Sequence, residues 1–242
     1  MHSPLYVALS SQIALQKRLD TIGANIANAS TTGYRADSVS FASLVSSPRS
    51  GAVAFVSQGD TTIDRRSGPL QQTGNALDVA IVGDGWLALH TPAGVAYTHD
   101  GRLSMSATGQ LMSETGYPVL DAGKSPIQID PNGGPPSIAA DGMISQGGAK
   151  LSAIGVFRIP VEQALTRYGN SAFLSPVDSE PVLDFHSVNV AQGYLEQSNV
   201  NTANEMMNLI TVSRAFQGAA AMIDDTERKL DDAIRTLGAT GH

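Results

Sequence analysis

At 242 residues, with 42% apolar side chains, the chain is long enough to bury one large core or two modest ones. A net charge of −7 excludes the basic footprint that nucleic-acid binding needs and gives no reason to expect an anionic membrane as partner; the absence of cysteine excludes disulfides, thiolate metal sites and cysteine nucleophiles. Charged residues make up 15% against roughly a quarter in ordinary domains, which suits a chain that buries surface against copies or neighbours.

The N-terminus does not read as a cleaved leader. Its longest early apolar run is Leu5 to Leu9, and the first positive charges are Lys17 and Arg18. No stretch approaches the roughly 20 apolar residues of a membrane span. The first predicted helix starts at Ser3-Pro4, a capping residue followed by a proline suited to the first helical position. Leu5, Gln12, Leu19 and Ile26 repeat every seven residues, and Ala8, Leu15, Ile22 and Ala29 fill the second seam position. Ser30-Thr-Thr-Gly33 should end the helix, because glycine accepts the left-handed backbone that closes one. Only Lys17, Arg18 and Asp20 carry charge in the first 34 residues, so this helix expects apolar company on several sides.

Residues 35–75 read as a connecting segment, polar and irregular from Val45 to Gly74. Residues 76–185 hold nine of the 12 prolines and 14 of the 24 glycines, and so should form short strands joined by turns. Leu77–Val82 and Trp86–His90 flank Gly83-Asp-Gly85, and Val95–Thr98 and Arg102–Ser106 follow between further turns, as antiparallel hairpins would. Ile127–Ile129, Met143–Ser145 and Ala153–Ile159 are later strand candidates. Residues 190–242 carry the last helix. Thr202 and Glu205 have capping-box spacing, and Leu209, Phe216, Ile223, Leu230 and Leu237 recur every seven residues. At about 1.5 Å per residue the two helices should reach roughly 40 and 50 Å.

The fold class expected is therefore α+β: long N- and C-terminal helices (residues 1–34 and 190–242) pairing in a coiled-coil-like bundle, around a central antiparallel β-domain. Leu5, Leu15, Leu19, Ile22, Ile26, Leu209, Phe216, Ile223, Leu230 and Leu237 are its seam and interface candidates. No catalytic constellation accompanies them. His2, His90, His99, His186 and His242 lack the i, i+4 spacing of a helical metal pair and read as surface residues. Asp224, Asp225, Asp231 and Asp232 sit among basic neighbours and read as a solvated, paired face. No cofactor, metal or small-molecule substrate is expected.

The termini also carry a resemblance. Ala24-Asn-Ile-Ala-Asn-Ala-Ser-Thr-Thr-Gly-Tyr34 resembles the N-terminal signature of the bacterial flagellar rod and hook family, through Asn25, Asn28, Gly33 and Tyr34. Gln197-Ser-Asn-Val-Asn201, Glu205 and Arg214-Ala-Phe216 resemble its C-terminal signature, through Ser198, Asn199, Asn201, Glu205 and Arg214. Gly83-Asp-Gly-Trp86, Tyr97-Thr98, Asp100-Gly101 and Gly109-Gln-Leu111 resemble its β-domain phrases in order. Tyr6–Leu9 and Ile13–Asp20 favour the proximal-rod members, and the short Phe41–Gly74 segment lacks room for the insertion usual in distal-rod ones. Two positions depart from the pattern. Gln217 stands where the family usually has Glu, and His99 where it commonly has Arg.

What the resemblance implies is a non-enzymatic subunit that the flagellar type III export apparatus sends out without a cleaved signal peptide. It would polymerise in the periplasmic space with copies of itself and with other proximal and distal rod proteins, forming a shaft that transmits torque. Two alternatives stand: a distal-rod member of the same family, and a secreted coiled-coil adhesin. The adhesin reading explains the layout but neither the Asn-rich helix end nor Ser198-Asn199.

Overall fold

The computed structural model describes residues 3–41, 43–46, 53–56 and 59–239; within these, the side chains of residues 3–6, 43–46, 53–56, 230–231, 233–234 and 237–239 lie outside the description. The chain forms two compact units. A helical unit comprises the described residues of Met1–Ala27, Asp37–Thr62 and Asn201–His242, and a β-rich unit comprises Asn28–Ala36 and Ile63–Val200.

In the helical unit, α1 (Ser3–Ala27) and α2 (Thr202–Ala239) pack against each other. From Glu205 to Thr226 the α2 heptad is turned from solvent: Glu205, Leu209, Val212, Phe216, Ala219, Ile223 and Thr226 are buried or half-buried, while most positions between them are exposed, as is Thr202 at the helix start. A narrow stripe of this kind suits a helix with one neighbour. On α1 the covered face is broader. Ala14, Ile22 and Asn25 are buried and Leu15, Leu19 and Ile26 half-buried, because α1 also contacts the strands Asp37–Ser40 and Val53–Val56. Lys17 Nζ donates to the carbonyl of Gly59 at 2.6 Å. The expected helix start finds only its backbone here, since the Ser3 side chain lies outside the described residues, as do those of Leu5, Leu230 and Leu237.

The segment from 45 to 74 is not the irregular stretch its composition suggests. Ser43–Ser46 pairs antiparallel with Val53–Val56, Asp37–Ser40 with Asp60–Ile63, and Leu70–Gln72 with Tyr194–Glu196. The reason is that strand formation here depends on partners remote in the chain, which local polarity does not report.

In the β-rich unit the largest sheet has six strands, ordered Thr166–Tyr168, Ala172–Leu174, Gly94–Thr98, Trp86–Thr91, Val156–Arg158 and Glu180–Pro181. All five pairings of this sheet are antiparallel. Trp86–Thr91 feeds two cores at once. Trp86 and Ala88 point into an aromatic cluster with Tyr97, Phe157 and Phe173, while Leu87 and Leu89 point into an aliphatic one with Val79, Leu111, Val119 and Ile144. Alternate side chains leave opposite faces of a strand, so one six-residue element buried on both sides stitches the unit together. The expected strands over 77–82, 86–90, 95–98, 102–106 and 143–145 form with shifted ends; Ile127–Ile129 makes ladder-like bonds without becoming a regular strand.

Candidate functional site in two motif clusters

The signature residues gather in two places, one in each unit. In the helical unit, Asn25 is buried near the end of α1 and exchanges two hydrogen bonds with Asp37: its Nδ2 donates to the Asp37 carbonyl at 2.9 Å, and the Asp37 N–H donates to its Oδ1 at 2.9 Å. An amide side chain carries both a donor and an acceptor, so it mimics a strand partner at a helix end. Glu205, in the first turn of α2, hydrogen-bonds Asn25 instead of closing the expected capping box. Burial raises its pKa above the usual carboxylate range, against the opposing pull of Asn25 and Arg18. The cap of α2 falls one residue earlier than its sequence suggests: Asn201 Oδ1 accepts from the Asn204 N–H at 3.1 Å, leaving Thr202 as the first helical residue. Arg214 is exposed farther along α2.

In the β-rich unit the chain leaving α1 (28–36) and the chain approaching α2 (194–200) lie side by side. The Gly33 N–H donates to the Glu196 carbonyl at 2.8 Å, and the Asn199 N–H to the Tyr34 carbonyl at 3.3 Å. Asn199 then uses its whole amide: Oδ1 accepts from the Ala36 N–H at 2.7 Å, and Nδ2 donates to the carbonyls of Asp64 at 3.0 Å and Arg66 at 2.8 Å. Ser198 is buried and its Oγ accepts from the Val200 N–H at 3.2 Å; Asn28 Oδ1 accepts from the Thr31 hydroxyl at 3.1 Å. Gly33 has φ +66°, and a Cβ there would collide with the backbone of His99 and Asp100. Its glycine therefore serves a close approach as well as the helix exit. Tyr34 is buried beneath the Arg167 guanidinium, 4.5 Å from the ring centre.

Three buried residues sit at the middle of this cluster, of which the sequence singles out only His99, as a departure from the family pattern. Glu196 Oε1 accepts from the Gly68 N–H at 2.7 Å and lies 2.8 Å from Arg35 Nη2; Glu196 Oε2 lies 2.8 Å from His99 Nδ1. Arg35 and Glu196 are each 1% exposed and His99 4%. His99 is thus no surface residue: the Trp86 ring meets it edge-on at 4.2 Å, and Arg35 also donates to the Arg66 carbonyl. Burial pushes the His99 pKa below its ordinary value, with Arg35 adding to that and Glu196 opposing it. Burial works to raise Glu196, but His99, Arg35 and the Gly68 N–H outweigh it and hold the carboxyl below the usual range. A signal for this cluster did exist. Arg35 and Glu196 are opposite charges that abut the two signatures in otherwise charge-poor sequence.

The remaining candidates behave as isolated side chains. His90 is exposed and His186 is 96% exposed, while His2 and His242 lie outside the described residues. Arg228 Nη2 pairs with Asp224 at 2.6 Å across one helical turn, as a solvated face should. Among the described residues, no three His, Cys, Asp or Glu side chains converge as a metal site, and no helix is long and apolar enough to cross a membrane.

Three family models match the chain in order: "Flagella basal body rod protein" over residues 5–35, "Flagellar hook protein FlgE/F/G D1 domain" over 80–146, and "Flagellar basal body rod FlgEFG protein C-terminal" over 191–236. The chain is 48% identical to the flagellar basal-body rod protein FlgF of Mesorhizobium japonicum, over 99% of both chains. It is 44% identical to FlgF of Rhizobium meliloti, over 99% of this chain and 100% of that one, and 34% identical to FlgF of Caulobacter vibrioides, over 98% and 99%. Matches of this extent at both signatures and across the β-rich region leave one conclusion: the chain belongs to the flagellar basal-body rod protein family, close to FlgF.

Proposed function

We propose that this chain is a structural subunit of the proximal flagellar rod, which polymerises with its own copies and with neighbouring rod proteins into a torque-transmitting shaft. The observation that carries the reading is the apolar surface left over on both helices once they have packed together. Leu9 and Ile13 on α1 are 47% and 56% exposed, and Met206, Met207, Ile210 and Met222 on α2 are all more than half exposed. Single exposed apolar residues need no explanation, but rows of them on two paired helices do. Helices from adjacent subunits would cover them, extending the Leu15, Leu19, Ile22, Leu209, Phe216 and Ile223 seam into a coiled-coil-like bundle. Such contacts are heterologous, and where the rotation between neighbours does not close they generate an open helical array. Residues 1–34 and 190–242 act in this reading as the tube-forming part. Export by the flagellar apparatus without a cleaved leader, and a place in the periplasmic rod, complete it.

The test separates association from folding. Ile210→Asp on the exposed face should leave the unfolding midpoint of the purified chain unchanged, since surface substitutions stay within about 0.5 kcal/mol. In cells it should stop rod growth and abolish swimming. Full motility of that variant, or intact basal bodies without this polypeptide between motor and hook, would refute the proposal.

A further inference from the structure

Glu196 is a single buried carboxylate shared by two basic side chains, at the point where three segments of the β-rich unit meet: 28–36, 64–68 and 194–200. We propose that Arg35, Glu196 and His99 form an acid-released latch that fastens these three segments together. With His99 neutral, the Arg35 and Glu196 charges cancel, and the carboxylate is free to hold Gly68 and Arg35 through one oxygen while facing His99 with the other. One added proton turns the imidazole into a second buried cation before the same carboxylate. An uncompensated buried charge is relieved by opening.

Among the described residues, the surroundings of His99 supply no second counter-charge in contact. Around His99 stand Glu196 and Arg35, Asp84 on the turn before Trp86, and Arg65 and Arg66 on the segment before Leu70. Arg66 is bound by Asp64 at 2.6 Å, and Arg65 donates to the carbonyls of Ile159, Pro160 and Gln163. Asp84 attracts a proton toward His99 only as the weakest of the influences on it. His99 also lines a cavity of about 380 Å³ with Arg35, Ser67, Asp84 and Trp86, which gives an incoming proton a way to reach the ring.

The sign follows from where protons bind. The unfolded chain takes up a proton at histidine near pH 6.5 and at glutamate near 4.5, and the folded cluster binds both less readily. Latch stability is therefore complete above about pH 6.5 and is lost in two steps as pH falls, first through His99 and then through Glu196. This makes the meeting point of the three segments sensitive to mild acid while the aromatic and aliphatic cores, which among the described residues hold no titrating pair of this kind, remain closed.

The experiment uses the full-length chain and follows amide exchange, corrected for its intrinsic pH dependence, from pH 7.5 to 3.5. Gly33, Ala36, Gly68 and Asn199 report the latch, and Phe157 reports the core. The latch amides should exchange faster below about pH 6.5, by up to about tenfold per pH unit for one proton taken up, with Phe157 unchanged. His99→Gln should remove the first step and leave only the one at lower pH, and His90→Gln should change nothing. Exchange at the latch that is flat with pH, that rises only together with Phe157, or that keeps its wild-type onset in His99→Gln overturns the proposal. Should His99→Gln not fold, titration of the His99 ring in the wild type by NMR decides: a midpoint at or above 6.5 overturns it. The lone tryptophan offers a second readout, since Trp86 lies against the imidazole and its emission should fall as that ring gains a proton.

Discussion

The helical unit and the β-rich unit solve the same problem in opposite ways. The β-rich unit closes an aromatic core almost completely, with Trp86, Tyr97, Phe157 and Phe173 at most 2% exposed, although Val161, Val177 and Leu183 stand in solvent elsewhere on it. The helical unit packs one seam and leaves Ile13, Met206, Met207, Ile210 and Met222 in solvent. A closed core gives a unit that is stable by itself, whereas a half-covered pair of helices leaves part of its apolar surface uncovered. The chain thus separates a unit with a closed core from a unit with uncovered apolar surface, which the proposed function assigns to association.

That separation can be broken from either side. The largest effect should come from Phe157→Ala, which empties a fully buried aromatic site and should cost about 3–5 kcal/mol in urea unfolding. Its loss should appear in the tryptophan signal, because Trp86 shares that core. Next, Glu196→Gln leaves the Arg35 guanidinium buried without its counter-charge, for a loss of about 3 kcal/mol at pH 7.5. The deficit relative to wild type should shrink only as pH falls below about 4.5, where the unfolded chain takes up a proton that the folded carboxylate resists; a pH-independent deficit would mean that packing, not charge, is responsible. Asn25→Ala should cost less, about 1–3 kcal/mol, by freeing Asp37 and Glu205 from one shared amide. Amide exchange should then quicken in Asp37–Ser40 and not at Phe157. If Asn25→Ala loosened the aromatic core as much as its own surroundings, the two units would not be independent.

Much of this architecture is legible in the residue order. From Leu209 to Thr226 the α2 heptad marks the face turned from solvent, because a helical period needs no partner to be read. The hairpin around Pro92–Gly94 is equally local, and its turn residues announce it, whereas the strands flanking Gly83-Asp84-Gly85 do not pair as a hairpin: Val79–Val82 takes the remote Asn189–Gln192 as its partner. The helix cap was displaced by one residue, from Thr202 to Asn201, since both side chains can cap and the geometry of the incoming chain selects between them. Glu205, drawn to Asn25, then had no part in a capping box.

The strands between 43 and 72 and the Arg35–Glu196–His99 cluster belong to a different class. His99 and Arg35 look like solvated side chains in sequence, and nothing within ten residues of either explains why burying them costs less than leaving them in water. The explanation is Glu196, which the strand Tyr194–Glu196 delivers to them by pairing with Leu70–Gln72.

The sequence by itself determined the periodic elements and their order: two long helices with apolar seams, a turn-rich β middle, and two signatures that name the family. Only the tertiary structure decided which charges are buried, which strands find partners, and which amide joins α1 to the first turn of α2. Periodicity is a property of neighbouring residues along one chain. The free energy of a buried charge depends on groups that only folding brings within about 3 Å.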